Sequence, residues 1–361
     1  MVFLYFVERK ALRFESDFSQ LVDLINSTFR STEKRQEYVT YVSNLTQRNL
    51  PPLFSFSHIA NVFGLKGRDL YDLAFKSKFH YSSFYIPKRT GGVRLISAPH
   101  AQLATIQEWI GKNILDNSFF FGDEVVGYVK KKNILDHVKP HVEADCVIKL
   151  DLKDFFPSIS THYVTKIFFD LGYSISVSRI FSELLTLDGS IPQGACTSPQ
   201  VSNIRMINFD AEMLYFCELN NFKYTRYADD IVLSGSKELI NHKGKIRSIF
   251  IDNGLVINHK KTRVYDGAQQ VRFITGLIIN DGTVRLPKSM RRKIRAESHA
   301  LMKAIPYLRS GAKVEFEKLE NDFLNDPLAI EKLLGKLNYW LQIEPGHKYP
   351  LAVKNRIAEF L

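Results

Sequence analysis

Cysteine is scarce in this chain: three in 361 residues, Cys146, Cys196 and Cys217. Odd in number and widely spaced, they supply neither a disulfide framework nor a paired Cys-x-x-Cys zinc pattern. A reducing, cytoplasmic compartment is the expectation that follows. Long apolar runs are missing too. No stretch reaches the roughly 18 apolar residues that a spanning helix needs. The apolar start Val2 to Val7 is too short for a signal peptide, and mixed charge rather than a cleavage site follows it. These absences set aside a membrane protein. No internal repeat or low-complexity tract is present, so a repeat array is excluded as well.

What is plentiful is positive charge. Lys and Arg number 49 against 38 Asp and Glu, a net charge of +11. A surplus of that size favours a polyanionic partner, nucleic acid or an anionic membrane, although a basic enzyme of another kind carries one as well. With 45% hydrophobic and 24% charged residues the composition is globular, and the length suits one large body or two to three subdomains.

Along the chain, residues 1–50 read as amphipathic helices. Pro51-Pro52 marks a break, and helical periodicity returns from Ser57 to Phe79 on either side of Gly64. Ser83 to Ser97 alternates around Thr90-Gly91-Gly92, a strand-turn-strand pattern. Leu103, Ile106, Ile110 and Ile114 are spaced for a helix. Cys146 to Leu152 reads as a strand, Tyr163 to Leu171 and Val201 to Leu219 as helices, and Tyr224 to Ser234 as a hairpin turning at Asp229-Asp230. Val271 to Ile279 and Thr283 to Leu286 pair as strands, and the pattern is helical from Pro287 onward. The order is helices, a mixed α+β core, then a helical tail.

Three carboxylates stand out. Asp151 ends the apolar run Cys146-Val-Ile-Lys-Leu150, and Asp229 and Asp230 lie in Tyr227-Ala-Asp-Asp230, followed by Ile231-Val-Leu233. Acids at strand ends beside apolar runs are costly to gather unless a cation neutralises them. Mg²⁺ takes oxygen ligands, and a pair of such ions can stabilise the attacking and leaving oxygens of phosphoryl transfer. Alone, Asp229-Asp230 would read as a hairpin turn. His137 and His141 have the i, i+4 spacing of zinc ligands, but Pro140 between them would break the helix, so a zinc site is rejected.

Four segments in order decide the matter. Lys149-Leu-Asp-Leu-Lys-Asp-Phe-Phe-Pro-Ser158, Ile191-Pro-Gln-Gly-Ala-Cys-Thr-Ser-Pro199, Arg226-Tyr-Ala-Asp-Asp230, and Gly254-Leu-Val-Ile-Asn258 through Lys260-Lys-Thr262 resemble the four palm motifs of reverse transcriptases. The resemblance implies an α+β right-hand polymerase fold: N-terminal helices and fingers over 1–145, palm over 146–286, helical thumb over 287–361. It implies RNA-directed DNA synthesis with two Mg²⁺ ions held by Asp151, Asp229 and Asp230, with the Leu152 carbonyl adding a ligand. Phe156 matches the steric gate that excludes a ribose 2′-OH, and Phe155 reads as core. Gln193 and Gly194 match the loop under the incoming deoxynucleoside triphosphate, where glycine permits close backbone approach. Tyr85 to Arg94 resembles the fingers hairpin, with Lys88 and Arg94 on the triphosphate. Their other reading is a solvated basic hairpin. Lys261 is a candidate general acid for the leaving pyrophosphate, with Lys260 as the alternative.

Within the family, the chain is similar to the bacterial retron branch. It is short, leaving no room after the thumb for an endonuclease or maturase domain. His137-Val-Lys-Pro-His141 stands where retrons carry Asn-Ala-x-x-His, with His141 kept and the first two residues changed. Ile274-Thr-Gly276 stands where they carry Val-Thr-Gly. His141, Thr275 and Gly276 thereby become candidates for RNA recognition, though Thr275 and Gly276 could equally be strand residues. Lys288, Arg291, Arg292, Lys293 and Arg295 follow Pro287, a favoured first helical residue. Such a helix suits a template–primer backbone or is a solvated face. The partners implied are a cognate structured noncoding RNA, its RNA-linked DNA product and a defence effector protein. The alternatives are an untemplated defence polymerase and a maturase-like RNA-binding protein of the group II intron kind.

Overall fold

A computed structural model describes residues 14–88, 91–267, 270–310 and 326–360. Thr90 of the fingers turn and part of the helical tail lie outside the described residues. So does the apolar start Val2 to Val7.

Two compact units divide the chain, residues 1–122 with 152–211, and residues 123–151 with 212–361. The first is mainly helical. Its helices are α1 (Phe14–Thr28), α2 (Thr32–Gln47), α3 (Phe56–Val62), α4 (Gly67–Phe75), α5 (Ala101–Ile110), α6 (Asp116–Ser118), α8 (Thr161–Asp170) and α9 (Ile175–Leu185). Serine side chains cap several of these helices; Ser160 accepts from the Tyr163 N–H, satisfying a donor that the first turn leaves free. The first unit also holds the hairpin of β1 (Tyr81–Pro87) and β2 (Val93–Pro99), paired Ile86 to Arg94. Buried Gln107 ties its core together, donating to the Tyr81 hydroxyl and the Leu184 carbonyl at 2.8 Å each.

In the second unit, the short helix α7 (Ile134–Val138) leads into strand β3 (Cys146–Asp151). Helix α10 (Ser198–Leu219) begins in the first unit and ends in the second, and is followed by β4 (Lys223–Tyr227), β5 (Asp230–Gly235), α11 (Lys243–Asp252) and β6 (Arg263–Asp266). The sheet order is β4-β5-β3-β6, all antiparallel, with β3 and β5 buried almost throughout. A run of apolar residues therefore forms these strands because both faces are covered. A three-stranded sheet follows, β7 (Arg272–Ile274), β8 (Leu277–Asn280) and β9 (Thr283–Arg285), and then α12 (Lys288–Ser310), α13 (Ala329–Ile343) and α14 (Lys348–Phe360). Ile274, Leu277, Leu286, Ile294, Leu337 and Trp340 belong to one apolar core that fastens this sheet to the C-terminal helices.

Two expected boundaries change. The hairpin turns at Ala228-Asp229, and Asp230 opens β5 opposite Tyr227. The expected strand Val271 to Ile279 is two strands, because Thr275 and Gly276 form a tight turn with φ of 44° and 87°. No helix among the described residues is long and apolar enough to cross a membrane.

Candidate active site: three carboxylates on one sheet

The register of the four-stranded sheet sets Asp151 at the end of β3 directly opposite Asp230 at the start of β5. Asp229 occupies the turn one residue before. Ala228, also in that turn, has φ of 56°, a left-handed conformation that costs a residue with a Cβ on the order of 1–2 kcal/mol. The tip is held from behind. Residues 124–126 run beside β4, exchanging backbone hydrogen bonds with Arg226. Fully buried Arg226 donates to the Ala228 carbonyl at 3.1 Å. Gly127 lies so close that an added Cβ would meet the Ala228 nitrogen at 2.4 Å.

The three acids have unlike surroundings. Asp151, 4% exposed, receives both contacts of the Lys261 ammonium at 2.9 Å, a 3.2 Å bond from the Asn258 amide, and the Asn258 N–H on its main-chain carbonyl. Asp230 faces Lys149 at 3.3 Å through one oxygen and accepts from the Thr275 hydroxyl at 3.1 Å through the other. Among the described residues no side chain donates to Asp229. Burial, then the Asp230 and Asp151 charges, push its carboxyl up to about 6, against a smaller downward pull from its own N–H and from Lys261. That is a carboxylate short of positive charge.

The donor set fits a hard divalent cation. The candidate ligands are three carboxylates and the Leu152 carbonyl, all hard oxygen donors, and the least compensated carboxylate is the one at the tip. No group of three His, Cys, Asp or Glu among the described residues is gathered into a ready cage.

The other candidates fall on several elements. Phe155 is buried, whereas Phe156 is half-buried and meets it edge-on at 5.7 Å. Gly194 has φ of 123°, and a Cβ there would meet the Ser97 carbonyl at 2.7 Å, while the Gln193 carbonyl accepts from the Ser97 N–H. Its need for glycine in this structure therefore comes from strand β2, where closeness to substrate was expected. Lys88 and Arg94 are exposed, flanking the hairpin turn. Lys260 is exposed, without the contact that Lys261 makes to Asp151.

Of the residues assigned to RNA, His141 changes place. It is fully buried, with Nδ1 against the Ser234 hydroxyl at 2.6 Å and Nε2 against that of Thr225 at 2.7 Å, so its ring has no face for RNA. Burial pushes its pKa down to about 3. Thr275 reaches Asp230, and Gly276 completes the same turn. Arg291 lies 3.9 Å from Glu344, and Arg295 packs over the rings of Trp340 and Tyr349 at 5.8 and 5.0 Å. Arg292 and Lys293 are exposed on α12. Sequence reasoning gave no role to Lys149, Asn258, Arg226 or Gly127. Lys149 and Asn258 stood inside recognised motifs, but only the sheet register shows which carboxylate each would meet.

A mixed α+β fold with three acids gathered at a strand end and an adjoining hairpin suits a nucleotidyl-transferring polymerase. The profile of the family "Reverse transcriptase (RNA-dependent DNA polymerase)" matches residues 86–279, more than half of the chain. The chain belongs to this family, in its retron branch, and is an RNA-directed DNA polymerase. It is 30% identical over 267 residues to the Retron Ec86 reverse transcriptase of Escherichia coli, covering 72% of this chain and 82% of that one. With the Retron Ec83 reverse transcriptase of Escherichia coli it shares 32% over 242 residues, 62% of this chain and 77% of that one. With the Retron Mx162 reverse transcriptase of Myxococcus xanthus it shares 29% over 329 residues, 80% and 67%.

Proposed function

We propose that this polymerase copies a structured noncoding RNA, its cognate, into single-stranded DNA that stays joined to RNA. It works with two Mg²⁺ ions and acts in anti-phage defence beside an effector protein. The observation that carries the chemistry is the strand register, which sets Asp151 opposite Asp230 with Asp229 one residue before, so that three acids gather where a divalent cation would offset their charge. Similarity to retron reverse transcriptases supports the product.

In this reading residues 1–145 are N-terminal helices and fingers, 146–286 the palm and 287–361 the thumb. Asp151 and Asp229 hold the ions, with Asp230 and the Leu152 carbonyl completing the protein's share. Bound there, the ions supply charge to the attacking and leaving oxygens of the transfer. Arg94 grips the triphosphate through its fork and Lys88 as a point charge. Gln193 and Gly194 support the incoming nucleotide, and Phe156 occupies the space of a 2′-OH. Lys261 protonates the leaving pyrophosphate, with Lys260 as the alternative. Arg292 and Lys293 on the exposed face of α12 meet nucleic-acid phosphates, a contact that weakens with salt. With both ring nitrogens of His141 occupied, RNA recognition falls to Gly276 and the basic thumb.

Isolation of the protein with its bound nucleic acid tests this function. The expected product is a short DNA joined to RNA through a 2′,5′ linkage that a debranching enzyme cleaves. Products that all start from ordinary 3′ ends would overturn the retron mode of priming. Synthesis that proceeds without a template would overturn copying itself.

A further inference from the structure

We propose that Thr275 is a positioning residue for DNA synthesis: from a strained turn, its hydroxyl fixes the orientation of the Asp230 carboxylate. The inference rests on the reading of Asp230 as part of the catalytic site.

The turn between β7 and β8 has two residues, closed by the Ile274–Leu277 pair. Both central residues have positive φ, 44° at Thr275 and 87° at Gly276. Turns of this kind favour Asn-Gly, because asparagine tolerates the left-handed region and glycine enters it freely. A β-branched residue there is an outlier. Glycine at 276 satisfies the turn; threonine at 275 works against it. Strain of this sort persists where the surroundings over-determine it and where it serves a purpose.

The surroundings do over-determine it. Ile274 and Leu277, on either side, are both fully buried in the core that includes Leu286 and Trp340. The turn cannot drift, so the hydroxyl is delivered to a fixed place. There it donates to Oδ2 of Asp230 at 3.1 Å, while Lys149 of β3 faces Oδ1 at 3.3 Å. The carboxylate is thus held from two sides by two different sheets. Lys149 alone would draw it into a closer ion pair and rotate it away from the orientation it has now. The hydroxyl balances that pull.

The test compares Thr275→Gly, Thr275→Val and Thr275→Ser in the full-length protein by primer extension and by thermal denaturation without divalent ions. Thr275→Gly should lower kcat for deoxynucleotide addition by about 10- to 100-fold, with KM little changed and the metal-free Tm no lower than wild type. Thr275→Val should lose as much kcat, since it keeps the shape and drops the donor. Thr275→Ser should recover kcat to within about threefold, because it keeps the hydroxyl donor that Thr275→Val drops. Added to Asp230→Asn, Thr275→Gly should cost nothing further, as expected for residues acting through one another. Wild-type kcat in Thr275→Gly beside an impaired Asp230→Asn would overturn the inference alone. So would a kcat that follows Tm across the three variants, which marks a structural role. Full activity of Asp230→Asn would overturn the catalytic reading of that acid and the inference with it.

Discussion

The tip of the four-stranded sheet and one of its buried sides present the same physical problem with opposite outcomes. At the tip, burial and neighbouring acids push Asp229 up to about 6. On the buried side, burial pushes His141 down to about 3 and His137 well below its ordinary value. In both places the low dielectric disfavours the charged form. Neutral hydroxyls meet both nitrogens of His141, from Ser234 and Thr225, and Nδ1 of His137, from Thr225, while Nε2 of His137 is buried without a partner among the described residues. The acids have no such settlement at Asp229. A compensated ionisable cluster reads as architecture, and an uncompensated one as a binding site.

Replacing Asp229 by asparagine should give the largest effect that separates the two regions. DNA synthesis should fall on the order of 10³-fold, about 4 kcal/mol of transition-state stabilisation. Tm without divalent ions should hold or rise, since a charge that burial and neighbours disfavour is gone. Single-turnover primer extension together with a melting curve checks both. Retained synthesis would remove the distinction between tip and buried side.

Acid titration of stability sharpens the same contrast. For His141 the folded pKa lies below the unfolded value of 6.5, so the unfolded chain binds the extra proton more readily. Its contribution is complete above pH 6.5 and is lost as pH falls toward 3, on the order of 5 kcal/mol in all. Asp229 has the reverse sign. Its folded pKa lies above the ordinary 3.8, so without cations the native state gains stability as pH falls from about 6 to 4. Urea titrations of wild type and His141→Gln between pH 7 and 4 should show a flatter acid loss in the variant. Identical slopes would mean that the histidines do not carry it.

Two smaller effects concern the first compact unit. Arg94→Ala should raise KM for deoxynucleotides about tenfold, with kcat and Tm nearly unchanged, because an exposed hairpin side chain contributes to binding and not to packing. Phe156→Ala should raise ribonucleotide use relative to deoxynucleotide by a few-fold to about tenfold in the kcat/KM ratio. An unchanged ratio in an active Phe156→Ala enzyme would return that ring to the core.

The acids, the apolar strands and the fingers hairpin were legible because each depends on local pattern. The helix Ile175–Leu185 passed unnoticed although Val177, Ile180, Phe181, Leu184 and Leu185 repeat at helical spacing and are all buried. That signal was present. The turn at Thr275-Gly276 was less accessible, since Thr275 argues locally for a continuing strand, and only the buried flanks Ile274 and Leu277 override it. The basic run after Pro287 left its two readings open for a different reason. Charge says nothing about direction, and Arg291 and Arg295 turn toward Glu344 and an aromatic pair while Arg292 faces solvent. Partners 107 and 110 residues away in sequence, Asn258 and Lys261 on Asp151, come from the register of strands and not from spacing.

Gly127 has no side chain to do chemistry, yet its backbone lies against the nitrogen of Ala228 and the main chain of Tyr227. Saturation mutagenesis should therefore find position 127 as intolerant as the acids themselves, since even alanine needs room that only a shift of the hairpin could give. A tolerance map without coordinates would place Gly127 among the reacting groups. Its intolerance of substitution would be that of a mould pressed against the part it shapes, and engineered variants of this polymerase should leave it untouched.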